Sequence, residues 1–145
     1  MNFLGKIFAF CLLFFALVYL LVCFFFGSWL QTILVKCNKK HVSFEDISDV
    51  ICSEQVLNEL RYRSWFTLEE SIPNPSFELK TTLPIVSFRS GKVKTKFHVS
   101  WFGCENTMEK KVIRQGGYRI PVEVELSWDR NHWIVSDVLN FWFAD

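Results

Sequence analysis

The chain has 145 residues, half of them hydrophobic, with 16 Lys and Arg against 15 Asp and Glu for a formal net charge of +1. That length holds one domain and an appendage rather than two independent cores. A charge so close to zero offers no long-range field for a polyanion, which removes nucleic acid from the leading partners.

The hydrophobic excess is concentrated at the N-terminus, where Ile7 to Val35 contains no charged residue. Its most apolar part, IFAFCLLFFALVYLLVCFFFGSWL, covers residues 7–30. As a helix rising about 1.5 Å per residue it reaches about 36 Å, enough for a hydrocarbon core of about 30 Å with some tilt. The expectation is a single transmembrane helix in contact with the lipid bilayer through residues 7–30, within an anchor of residues 1–35 that a basic linker, 36–42, follows. A cleaved signal peptide would have a shorter apolar run of roughly 7 to 15 residues and a small-residue exit, neither of which is found. Val22 ahead of Cys23 also stands where a lipoprotein box needs a small side chain. Tyr19, Trp29 and Phe24 to Phe26 suit the interfacial belt, and Gly27 with Ser28 suits a helix loosening as it leaves the hydrocarbon.

Lys6 flanks one end of the run and Lys36, Lys39 and Lys40 the other. Taken alone, the positive-inside rule leaves the domain in the cytoplasm, yet a long domain is translocated largely regardless of its charge. The extracytoplasmic placement is preferred and the cytoplasmic one stays open.

Residues 43–145 read as an α+β domain: a helical layer packed on a curved antiparallel sheet of three to four strands. Ser43 and Asp46 form a capping pair ahead of Phe44, Ile47, Val50 and Ile51, and Ser53 precedes the stripe Val56, Leu57 and Leu60. The helical layer extends to about Glu70, continuous or broken near Cys52, before Pro73 and Pro75 end it. Beyond Pro75 the period becomes two. Phe77, Leu79 and Thr81 begin a strand, Ile85 to Arg89 turns at Ser90-Gly91 into Lys92 to Phe102, and Gly116-Gly117 opens a strand through Trp128. Asp129 to His132 then turns the chain into a last strand, Trp133 to Phe143. Lys92, Lys94, Lys96 and His98 share one face, and Glu123 and Glu125 lie on the strand expected beside it, so opposite charges fix the register. Lys110, Lys111 and Arg114 read as a solvated loop.

The five cysteines, Cys11, Cys23, Cys37, Cys52 and Cys104, contain no C-x-x-C pair, so no zinc site follows. Three separate thiols beyond the anchor are the simpler reading, and a Cys37 to Cys52 bridge is the alternative in an oxidising compartment.

The closing segment EVELSWDRNHWIVSDV, a strand ending in a polar turn and followed by Trp133, Ile134, Val135 and Val138, resembles the cystatin-like or nuclear-transport-factor-2-like group of small domains. The resemblance covers Ser43 to Phe143 and is architectural, with no chemical motif to carry over. It implies a curved sheet wrapped around a helix, sometimes with a conical pocket. In most anchored members such a domain serves protein association, and in some soluble relatives catalysis.

Chemistry-bearing residues are sparse. Asp137 shares strand parity with Trp133, Val135, Leu139 and Phe141, which places it on the core side. A buried carboxylate there would make a general base at the floor of a pocket with Trp133. His41, His98 and His132 are scattered, no G-x-S-x-G elbow occurs, and the glycines begin no phosphate-cradling loop. No catalytic residue, metal ligand or cofactor site is therefore assigned. VKTKFHVSWF interleaves lysines with rings, but Phe97 and Trp101 point away from the lysine face, against a single-strand nucleic-acid platform. The favoured function is a membrane-anchored protein-interaction or assembly domain without catalytic activity. Phe141, Trp142 and Phe143 are its expected contact with another membrane protein or with a second copy, because they set apolar groups on both strand faces. The alternative is a ligand-binding or enzymatic cone with Asp137 at its floor.

Overall fold

The computed structural model describes residues 2–38, 42–64 and 75–139. In order these form α1 (Phe3–Cys37), a 3-10 turn (Glu45–Ile47), α2 (Glu54–Ser64), β1 (Pro75–Thr81), β2 (Ile85–Arg89), β3 (Lys92–Asn106), β4 (Lys111–Asp129) and β5 (His132–Leu139). The class is α+β as expected, and among the described residues the antiparallel sheet has five strands, where three to four were expected.

α1 runs unbroken for 35 residues and has two different halves. As far as Leu21 its large apolar side chains are exposed, with the Tyr19 hydroxyl reaching the sheet. From there Cys23, Phe26, Leu30, Ile33, Leu34 and Cys37 are buried, and their three- and four-residue spacing puts them on one face of the helix. One helix is thus long and apolar enough to cross a membrane and also lies at the centre of the domain core. No structural break falls at Val35, which packs against that core, and Cys37 in the expected linker is fully buried. Gly27 does not loosen the helix. It lets α1 approach the β1–β2 connection so closely that a Cβ at Gly27 would stand 2.8 Å from Cδ of Pro84.

The helical layer is broken at Cys52, as one of the two readings had it. The Asp46 carboxylate accepts from the Ser43 N–H at 2.8 Å and the Ser43 hydroxyl at 3.0 Å, and the Ser53 hydroxyl accepts from Val56 N–H at 3.3 Å to start α2.

In the sheet, β1 and β2 lie end to end along one edge of β3, with β4 and then β5 beyond. β1 pairs with Val99 to Glu105 and β2 with Lys92 to Lys96. On β3 the alternation is as expected: Val93, Thr95, Phe97 and Val99 are buried and the lysines face outward. Lys92 and Lys96 reach Glu125 and Glu123 at 2.6 and 3.5 Å, so the charged ladder forms. The outer edge of β5 is covered, since Val135 N–H donates to Val50 O at 2.9 Å and Cys52 N–H to Val135 O at 3.1 Å. Such cover blunts an edge that would otherwise pair with another chain.

The β3–β4 turn is Thr107 to Lys110, closed by Thr107 N–H donating to Lys110 O at 3.0 Å. Gly116 and Gly117 lie inside β4, not at its start. A Cβ on Gly117 would come 2.5 Å from Nε1 of Trp101, so the Trp101 ring requires the glycine. Lys111 is not in a loop either, because it begins β4 and pairs with the Glu78 carboxylate of β1. Cys37 and Cys52 are separate thiols, and Cys52 Sγ donates to Ser136 O at 3.1 Å.

Candidate functional site

One concavity among the described residues follows from the β4–β5 hairpin. Arg130 and Asn131 both take positive φ, 43° and 68°, the geometry of a tight turn whose twist matches that of the flanking strands. It sets Trp128 directly opposite Trp133. Their rings meet edge to face at 5.3 Å, and Trp133 meets Phe26 of α1 in the same manner at 5.3 Å. Phe26 also touches Phe25 at 5.4 Å and Trp29 at 6.5 Å. Such edge-to-face pairs add about 0.5–1.5 kcal/mol each beyond their burial, so this aromatic chain holds the hairpin against the helix.

Over it lies an open groove of about 410 Å³ lined by Phe25 and Trp29, by Asp49 and Val50, and by Trp128, His132 and Trp133. The bonds of Val135 with Val50 and Cys52 fix the Asp49–Val50 wall. Asp49 and Trp128 are exposed, while Trp29, His132 and Trp133 are half-buried. His132 Nδ1 lies 3.1 Å from Arg130 O, within its own turn. Apart from Asp49 and His132 the lining is three indoles, a phenyl ring and a valine, an arrangement made for apolar contact.

A second, shallower surface of about 380 Å³ adjoins it on α1 and shares Phe25 and Trp29; Leu21, Phe24, Ser28 and Thr32 complete it. These positions recur at three and four residues along a helix flank left outside the core. The Thr32 hydroxyl is satisfied by Ser28 O at 3.0 Å.

Of the residues expected to matter, Trp133 is in the groove and Asp137 is not. A bulge intervenes: Leu126 pairs with Val135 and Glu125 with Asp137, leaving Ser136 as an extra residue on β5. The Ser136 hydroxyl donates to Glu125 O at 3.1 Å and holds the bulge in place. Parity therefore shifts, Val138 takes the buried position, and Asp137 is exposed with its Oδ1 accepting from Val138 N–H at 2.8 Å. The cone floor drawn at Asp137 is replaced by this outward position. Phe141, Trp142 and Phe143 lie outside the described residues.

Sequence reasoning missed Phe25, Trp29 and Trp128 as members of one site. The facing of Trp128 and Trp133 could be found by folding the hairpin about Arg130-Asn131, whereas the docking of both on Phe26 is purely tertiary. Among the described residues, no group of three or more His, Cys, Asp or Glu is placed to hold a metal ion. Comparison with protein-family models, curated proteins and solved structures finds no match to this chain.

Proposed function

We propose that this chain is a single-pass membrane protein whose α+β domain is an association module without a reaction of its own. Its aromatic groove receives an apolar helix of a second membrane chain, a second copy being the first candidate. The observation that carries the reading is the continuity of α1: the helix suited to cross a bilayer also supplies Phe25 and Trp29 to the groove. An occupant must therefore be available where the helix meets the membrane surface.

Three further features support it. Removal of the apolar segment as a signal would strip Cys23 and Phe26 from the core. The adjoining flank of α1 presents Ser28 between Phe24 and Thr32, and small residues let helices approach closely in membranes. The resemblance to anchored cystatin-like domains implies protein association, and a sheet packed around a helix accords with it.

The test is a photo-crosslinking side chain at Phe25 in the full chain, irradiated in native membranes. The expected product is one discrete protein adduct, of twice the chain mass for a second copy, which Trp133→Ala weakens. Lipid adducts alone, from a chain that stays monomeric in mild detergent, would discard the association reading.

A further inference from the structure

The contacts along α1 give its depth relative to the sheet. Gln31 Nε2 donates to Leu79 O at 3.4 Å and Gln31 Oε1 accepts from the Thr81 hydroxyl at 3.1 Å. Lower on the helix Gly27 abuts Pro84. Lower again, the Tyr19 hydroxyl donates to Val86 O at 2.9 Å and accepts from Val86 N–H at 3.2 Å. The β1–β2 edge thus runs beside α1 from Gln31 down to Tyr19.

That leaves Phe3–Val18, 16 of the 35 residues, clear of the domain. Those residues reach about 24 Å at about 1.5 Å each, and a span of about 30 Å takes about 20 residues, more if the helix tilts. The hydrocarbon must therefore continue past Tyr19, where β2 already lies alongside.

Large apolar side chains are exposed at that level. Leu83, Ile85 and Phe88 on the β1–β2 edge are 54 %, 67 % and 63 % exposed, and Leu20, next to Tyr19 on α1, is exposed as well. Large apolar groups exposed close together are a mark of protein or membrane contact. Arg89 opens the β2–β3 turn; its long stem lets the charge reach headgroup phosphates while the methylenes stay among acyl chains.

We propose that the β1–β2 edge, through Leu83, Ile85 and Phe88, is seated in the interfacial layer of the bilayer that α1 crosses, so that the domain lies partly within the membrane surface. This rests on reading α1 as a membrane span. The partner is the lipid itself, because the shortfall in free helix length brings acyl chains to the level at which Leu83, Ile85 and Phe88 are exposed.

The experiment uses the full chain in phosphatidylcholine–phosphatidylglycerol vesicles. The two exposed thiols are removed by Cys11→Ser and Cys52→Ser, and a nitroxide is placed at Phe88→Cys, at Ile85→Cys or at Met108→Cys in the turn at the far end of β3. Labels at 85 and 88 are expected to collide with oxygen dissolved in lipid and to lose collisions with a water-soluble nickel chelate. The label at 108 is expected to show the reverse. If the labels at 85 and 88 meet the chelate as freely as the one at 108 while the chain resists alkaline carbonate, the seat is refuted and the span stands, with a bilayer thinned around Phe3–Val18. If carbonate releases the chain, the span itself is refuted and the seat with it.

Discussion

The guanidinium of Arg61 on α2 closes the end of α1: its Nε donates to the Cys37 carbonyl at 2.7 Å and its Nη2 to the Val42 carbonyl at 2.5 Å. The last carbonyls of a helix have no partner within it, and a cation there also opposes the negative end of the helix dipole. Arg61 thereby ties the helix to the chain that leaves it. Hydrogen bonds from a charged donor are each worth about 1.5–3 kcal/mol. Arg61→Ala is expected to cost about 2 kcal/mol and to free the last turn of α1. The buried Cys37 thiol reports this directly, because its alkylation in mild detergent should quicken. Arg61→Lys should rescue only part of the loss, since an ammonium cannot reach both carbonyls in one plane.

The contact between Gly27 and Pro84 permits a cleaner test of how α1 is docked. Gly27→Ala gains about 1 kcal/mol of helix propensity but drives a methyl group into the proline ring. Overpacking of that kind costs about 1–3 kcal/mol, and the ring, fixed on the backbone, cannot swing aside. A net loss of thermal stability is expected. Adding Pro84→Ala should recover most of it. Independent losses that simply add would show that the two residues do not meet.

How far such features could be read from the sequence depends on the range of the interaction. Val93, Thr95, Phe97 and Val99 alternate with lysines, and that period is a local property of a strand with one wet face. The turns at Ser90-Gly91 and Arg130-Asn131 were legible for the same reason. The double role of α1 was not, because a side chain facing acyl chains and one facing a protein core have the same composition: Phe24 is exposed and Phe26 buried within one turn. Nor could the bulge at Ser136 be anticipated. It depends on the partner strand, and it moves Asp137 outward. Of the groove only Trp133 was legible; Trp128 joins it through the hairpin register, and its helical wall is a matter of packing.

Glu78 in the middle of β1 and Lys111 at the start of β4 meet across β3. The Glu78 carboxyl is held below its ordinary pKa, first by the hydrogen bond from Lys111 and then by the charge of that lysine. Its contribution is present above the unfolded carboxylate's pKa and lost as pH falls through the folded value. The Lys111 amine is raised, first by its bond to Glu78. Its contribution is complete below the unfolded amine's pKa and lost as pH rises through the folded one. A double-mutant cycle of Glu78→Gln and Lys111→Met is therefore expected to show coupling in the melting temperature across neutral pH. The coupling should vanish in acid below the carboxylate range and in strong alkali. Both groups are exposed, so added salt should shrink it at every pH.

Thr95 provides the sharpest test of the core. It is fully buried on β3 between Val86 of β2 and Val124 of β4, and its hydroxyl has no hydrogen-bond partner among the described residues. A buried hydroxyl without a partner costs about 1–3 kcal/mol, whereas valine has the same branched shape and suits a strand equally well. Thr95→Val is therefore expected to stabilise the domain by about 1 kcal/mol, read as a higher midpoint in denaturant at unchanged slope. Thr95→Ala separates the causes: it too removes the hydroxyl, but it leaves a methyl-sized gap between Val86 and Val124 and should fall below the valine variant. If Thr95→Val proves less stable than the parent, the hydroxyl is bonded in solution, and the layer beneath α1 is then held by a polar contact rather than by packing alone.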